Sequence, residues 1–160
     1  MNLIRLVLSN MHIVVVFLSI IFILLTIHRE KVYKDTKRIK EIVRENVLFF
    51  WVGIMYTWAS IFHIFIPKMG AKNIGWDISP FQKEVGYYDL LVGVGSLLVF
   101  TKYFQKFIDG IVYVVSGFSL FAGLNHLYEY IVLKNKSKFN SGLIMYMDLL
   151  LPVIMLVSYL

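Results

Sequence analysis

Apolar residues run through this chain in long blocks separated by short polar stretches. A bilayer-spanning helix needs roughly 20 apolar residues, and the blocks predict five of them, at about 3–27, 46–66, 81–103, 107–133 and 143–160. The first carries Arg5, Asn10 and His12 near its start. Its apolar core, Met11 to Ile27, is longer than that of a secretory signal and no small-residue cleavage site follows, so it reads as a retained span. The second block stops at Pro67, which cannot continue a helix. Ser79-Pro80-Phe81-Gln82 then gives a capping-box signature, with Ser at the cap, Pro at the first helical position and Gln at the third. The expected fold is all-α: one integral membrane domain over 1–160, with a basic cytoplasmic linker at 28–45 and an extracytoplasmic loop at 67–80.

Composition agrees. Apolar residues make up 59% of the 160 and charged ones 16%, against about 25% charged in soluble domains. A soluble enzyme and a disordered chain are excluded. The absence of cysteine excludes thiol–disulfide chemistry, disulfide frameworks and Cys-ligated zinc or iron–sulfur sites.

Of the net charge of +6, half sits between the first two spans, where seven Lys and Arg from Arg29 to Arg44 are interleaved with Glu30, Asp35, Glu41 and Glu45. The segment lacks the aromatics that stack on single-stranded bases, so nucleic acid is not an expected partner; acidic lipid headgroups are. The dense linker sets orientation by the positive-inside rule, with the N-terminus outside and the C-terminus inside.

Ionisable side chains at membrane depth are costly, and they face a bundle interior, a cavity or each other. The candidates are His63, Glu84, Asp89, His126, Glu129 and Asp148, with Gln82 and Asn125 beside them. The helical rise places all six ionisable groups in the outer half of the membrane. Spacing also aligns them on stripes of small and polar residues. These are Gly53, Tyr56, Ser60 and His63 in the second span, Gln82, Gly86, Asp89, Gly93 and Ser96 in the third, and Ser119, Ala122, His126 and Glu129 in the fourth. Asn125 reaches Glu129 at i+4. His12 and His28 are expected at headgroup level, and the Gly86/Gly93 and Gly110/Gly117 pairs at close helix crossings.

Any one of these residues alone reads as interhelical packing glue; six at one level point to a pocket. His126 and Glu129, at i and i+3, are the candidate catalytic pair. With His63 they are also candidate metal ligands, Asp89 or Asp148 completing a mixed site. Crowded carboxylates beside a His equally suit a proton relay or acid/base chemistry on an apolar ligand. No nucleotide fingerprint or nucleophile elbow is present, and no cofactor is specified.

The run His63-x-Phe65-x-Pro67, Ile74-Gly75-Trp76, Ser79-Pro80-Phe81-Gln82-x-Glu84-Val85-Gly86, then His126-x-x-Glu129, Asn140-x-Gly142, Asp148 and Pro152 resembles a family of small prokaryotic multi-span membrane proteins, known mainly as a domain of unknown function. The similarity covers roughly 46–155 and implies a bacterial or archaeal cell (inner) membrane protein with no assigned activity. More distantly, in helix layout and in polar residues set among helices, the chain is also similar to DoxX-like four-helix membrane proteins and to sterol-binding isomerase-type bundles. The leading expectation is a protein that binds a small molecule, lipid or metal in an outer-leaflet His/carboxylate pocket. Two alternatives stay open: an isomerase-like acid/base enzyme on an apolar substrate, and a proton-coupled transporter or accessory subunit.

Overall fold

The computed structural model describes residues 9–160, and within them every regular element is helical. Leu3, where the first predicted span begins, and Arg5 lie outside the described residues. Helix α1 (Met11–Glu30) ends where Lys31 takes the left-handed conformation, φ 56°. Asp35 then caps α2 (Thr36–Val47), its side chain accepting the Arg38 N–H. Arg38 grips the Glu30 carboxylate with two N–H groups, at 2.8 and 3.0 Å, and reaches Glu41 at 3.2 Å. This cluster clamps the turn between α1 and α2.

The linker is therefore mostly helix, and its second helix does not stop where the second span begins. Helix α2 passes through a seven-residue π-helical stretch, Leu48–Ile54, into α3 (Met55–Phe65), a continuous helix of 30 residues. A π stretch admits an extra residue per turn and re-aims the side chains around it.

The predicted loop at 67–80 is not all loop. Pro67 ends one helix and opens the next, because its missing N–H costs nothing at a first helical position. The result is α4 (Pro67–Ile74), closed by Gly75 at φ 83°. The predicted third span is shorter than expected: α5 runs Phe81–Leu97. Past it, the Gln105 side chain donates to the Val99 carbonyl at 2.8 Å, holding a turn in place of a sixth helical turn. A 3₁₀ turn, Phe104–Phe107, leads into α6 (Ile108–Ile131), and α7 spans Leu143–Tyr159. Pro152 lies inside α7 and leaves the Asp148 carbonyl, four residues back, without its helical N–H.

Three helices are long and apolar enough to cross a membrane: Met11–Glu30, Thr36–Phe65 and Phe104–Ile131. Helix α3 packs along α5, α6 along α7, and α1 lies against α2 and the π stretch. The α3–α5 crossing is close because both sides are small. A Cβ on Gly86 would lie 2.8 Å from His63 Cβ, and one on Gly93 would lie 2.7 Å from the Thr57 backbone nitrogen. Gly110 and Gly117 differ from expectation, since a Cβ on either meets nothing within 4 Å.

Two apolar clusters fill the bundle. Val99, Ile108, Val112, Val115, Leu151 and Met155 belong to one, and Val15, Phe50, Met55 and Met147 form the other. At one end Arg44 donates to the Ser158 carbonyl and covers the Tyr159 ring at 4.4 Å, tying the linker helix to the end of α7. At the other, Lys138 donates to the Ser9 carbonyl at 2.6 Å, joining the loop before α7 to the start of α1.

Candidate functional site

The buried positions of α5 are Gln82, Gly86, Asp89, Gly93 and Ser96, which is the stripe its spacing predicts. On α3, Ser60 and His63 are buried, and on α6, Ser119, His126 and Glu129. Their facing is set by helical periodicity. Between them lies a chamber of about 200 Å³.

Four predicted residues from four helices line it: His63 (α3), Asp89 (α5), His126 (α6) and Asp148 (α7). His63 is 7% exposed and Asp89 5%. The His63 Nδ1 atom is buried with no hydrogen-bond partner among the described residues. His126 is oriented by Asn140, whose Oδ1 lies 2.6 Å from Nδ1, and its Nε2 faces Asp148 Oδ2 at 3.8 Å. The Asn140 amide nitrogen donates to the Asn135 carbonyl, which fixes the orienting group in turn.

The other predicted residues stand outside the chamber lining. Glu129 is buried, and it is held by three donors: Trp76 Nε1, Asn125 Nδ2 at 3.1 Å and Asn135 Nδ2 at 2.8 Å. Asn125 thus reaches Glu129 as its spacing predicts, though Asn125 itself is exposed. Gln82 does not complete a capping box. Its amide donates instead to the Pro67 carbonyl at 2.9 Å, bracing α4 against α5, while the Ser79 hydroxyl oxygen does accept the Phe81 N–H, at 3.3 Å. Glu84 is exposed. It sits on the side of α5 away from the Gln82–Gly86–Asp89 stripe.

Among the described residues, no three His, Asp or Glu side chains stand together as a metal-holding group. The candidate trio His63, His126 and Glu129 is therefore not assembled. Glu129 is engaged by indole and amide donors.

Three contributors were not singled out as pocket residues from the sequence. His12, expected at headgroup level, is 5% exposed and lines the chamber, its ring edge-on to Phe139. Asn140 orients His126. Trp76 lines the chamber and stacks on His126, with ring centres 6.1 Å apart and planes inclined by 19°. All three tryptophans, Trp51, Trp58 and Trp76, contribute to the wall. Tyr56 does too, and its hydroxyl bonds Ser119 Oγ at 2.6 Å.

The chamber is thus an aromatic-walled cavity that holds, among the described residues, two carboxylates and three imidazoles and no Lys or Arg. Such a site can bind a small polar group through directed contacts, or pass a proton between His126 and Asp148. Neither a curated protein nor a solved structure matches the chain. A family model does match, over residues 9–160, and the chain belongs to that family, DUF6790, a family of unknown function.

Proposed function

We propose that this is an integral membrane protein that holds a small molecule, or part of a lipid, in the chamber among its helices. The observation that supports it is the convergence of His63, Asp89, His126 and Asp148 from four helices on one cavity, with His63 Nδ1 left unpartnered. Buried polar atoms in folded proteins are nearly all hydrogen-bonded, and an orphan beside a cavity is a place for a ligand atom. Gln82, Asn125 and Glu129 serve by bracing the walls. Glu84 has no part in binding.

On this reading α5 and α7 cross the bilayer as well. Each has 17 residues, at the lower limit of the roughly 17–25 that span. The five spans sit in a prokaryotic inner membrane, with the Arg29–Arg44 linker and the end of α7 cytoplasmic and the chamber toward the outer face.

Native mass spectrometry of gently extracted protein tests the proposal. A bound species on the wild type is expected to be lost or reduced in Asp89→Asn and His126→Ala. The same bound mass on both folded variants overturns it.

A second reading, membrane-embedded acid/base catalysis, is favoured by one arrangement. Asn140 fixes one nitrogen of His126 and leaves the other facing Asp148, which is how a base and its orienting group are set. Glu129 is excluded from that pair by its three donors. Transport through the bundle has no such support, because Val99, Ile108, Val115 and Met155 close the other half.

A further inference from the structure

Asp89 is the least compensated group in the chamber. It is 5% exposed, and among the described residues no side chain hydrogen-bonds or ion-pairs with it. A lone buried carboxylate is among the most unfavourable things a protein interior can hold, unless a cation, several donors or a proton meets it. Asp148 adds a second carboxylate to the same cavity, and its partner, His126, stands at 3.8 Å, beyond hydrogen-bond reach. Lys138 leans over the Phe139 ring, but it is exposed and donates to Ser9 and Asn10.

The walls point the same way as the charges. Rings of Trp51, Tyr56, Trp58, Trp76, Phe118 and Phe139 line the cavity. Aromatic faces carry negative potential and attract cations, most strongly where water is excluded. Anionic ligands would meet two carboxylates, whereas a cation is drawn to both. Among the described residues a metal ion has no set of three ligands.

Size limits the guest. The chamber, at about 200 Å³, is smaller than the roughly 300–1,000 Å³ of sites that enclose drug-sized molecules. It fits an ammonium-bearing group and not a whole lipid.

We infer that the chamber takes an organic cation, an ammonium or trimethylammonium group held between Asp89, Asp148 and the surrounding rings. The inference rests on the chamber reading above and names its ligand class. The same cation reaches the site either as a free amine or as the headgroup of a lipid.

The test uses the full chain in phosphatidylglycerol nanodiscs and two probes of equal shape. One is choline. The other is its uncharged isostere dimethylbutanol, in which a quaternary carbon replaces the nitrogen. Because every tryptophan lines the chamber, intrinsic fluorescence reports occupancy directly. Choline is expected to bind at least about tenfold more tightly than dimethylbutanol. Asp89→Asn is expected to abolish that preference while still taking up dimethylbutanol. Should Asp89→Asn fail to give a monodisperse protein, Asp148→Asn takes its place, and the two-probe comparison on the wild type stands without any variant.

Equal binding of both probes, unchanged in the variant, overturns the cation and leaves an apolar binding chamber. No response to either also overturns it, and the chamber reading then rests on the mass-spectrometric comparison. Repeating the titration in phosphatidylcholine discs assigns the source. Weaker choline binding there supports the cation as a lipid headgroup, and unchanged binding supports it as a free amine.

Discussion

Glu129 accepts the indole N–H of Trp76 on both carboxylate oxygens, at 2.8 and 3.0 Å. The bond ties the segment between α4 and α5 to α6 and lays the indole over His126. Gly75 makes it reachable. Its left-handed turn swings the chain out of α4, and a side chain there would be strained as well as driven into Ser137 and Asn135. Trp76→Phe keeps an aromatic face on His126 and removes the donor. Hydrogen bonds to charged groups contribute about 1.5–3 kcal/mol, so a clear fall in melting temperature in detergent is expected. In a Glu129→Gln background the same substitution should cost markedly less, and a double-mutant cycle reads the difference. Strict additivity would mean that the bond carries no energy.

Asn140 and His126 form the second dependent pair. Asn140 is fully buried and holds Nδ1 at 2.6 Å. Asn140→Ala leaves that ring nitrogen without its partner, a loss of about 1–3 kcal/mol. Asn140→Asp keeps an acceptor and should recover part of the stability. The ring nitrogen shifts of His126, read by NMR on histidine-labelled protein, should move in the alanine variant while those of His28, exposed at the far end of α1, stay put. Unmoved His126 resonances would show that Asn140 does not set the ring.

Much of the chamber could be read from helical spacing. The α5 stripe from Gln82 to Ser96 is the buried face because residues three and four apart share a side. Depth arithmetic brought His63, Asp89, His126 and Asp148 to one level for the same reason. Where a residue's partner lies far along the chain, spacing gives no signal. Trp76 finds Glu129 and Asn140 finds His126 through loop turns that no period encodes. The inward facing of His12 has no such signal, because α1 is apolar on every side and nothing in its pattern marks the face that meets the chamber. At Gln82 a local rule competed with a tertiary one, and the Pro67 carbonyl of the neighbouring helix won. Gly110 and Gly117 have the spacing of a helix-crossing pair, but spacing cannot say whether a neighbour arrives.

That last contrast is measurable. A methyl group on Gly93 would press on the Thr57 backbone nitrogen at 2.7 Å and the Gly53 carbonyl at 3.3 Å, atoms that cannot swing aside. Gly93→Ala is therefore expected to cost about 1–3 kcal/mol by overpacking. Gly117→Ala meets open space and removes a poor helix former, worth a gain of up to about 1 kcal/mol. Thermal unfolding followed by circular dichroism in one detergent should separate the two in sign. A comparable loss in both would mean that the Gly117 face is covered in the assembled protein.

Whether α5 and α7 cross the bilayer can be settled with the chain's own lack of cysteine, which makes any introduced thiol unique. Lys34, Lys72, Lys102 and Lys136 are all exposed, and each lies in a different connection or at a helix end. Five crossings put Lys34 and Lys102 on one side and Lys72 and Lys136 on the other. The end contacts agree, with Arg44 reaching Ser158 at one extremity and Lys138 reaching Ser9 at the opposite one. A membrane-impermeant maleimide added to intact cells is expected to label Lys72→Cys and Lys136→Cys at once, and Lys34→Cys and Lys102→Cys only after permeabilisation. Labelling of Lys72 and Lys102 from the same side would show that the 17-residue α5 turns back within the membrane. Reversal of all four would keep the five crossings and invert the protein, carrying the chamber to the cytoplasmic leaflet.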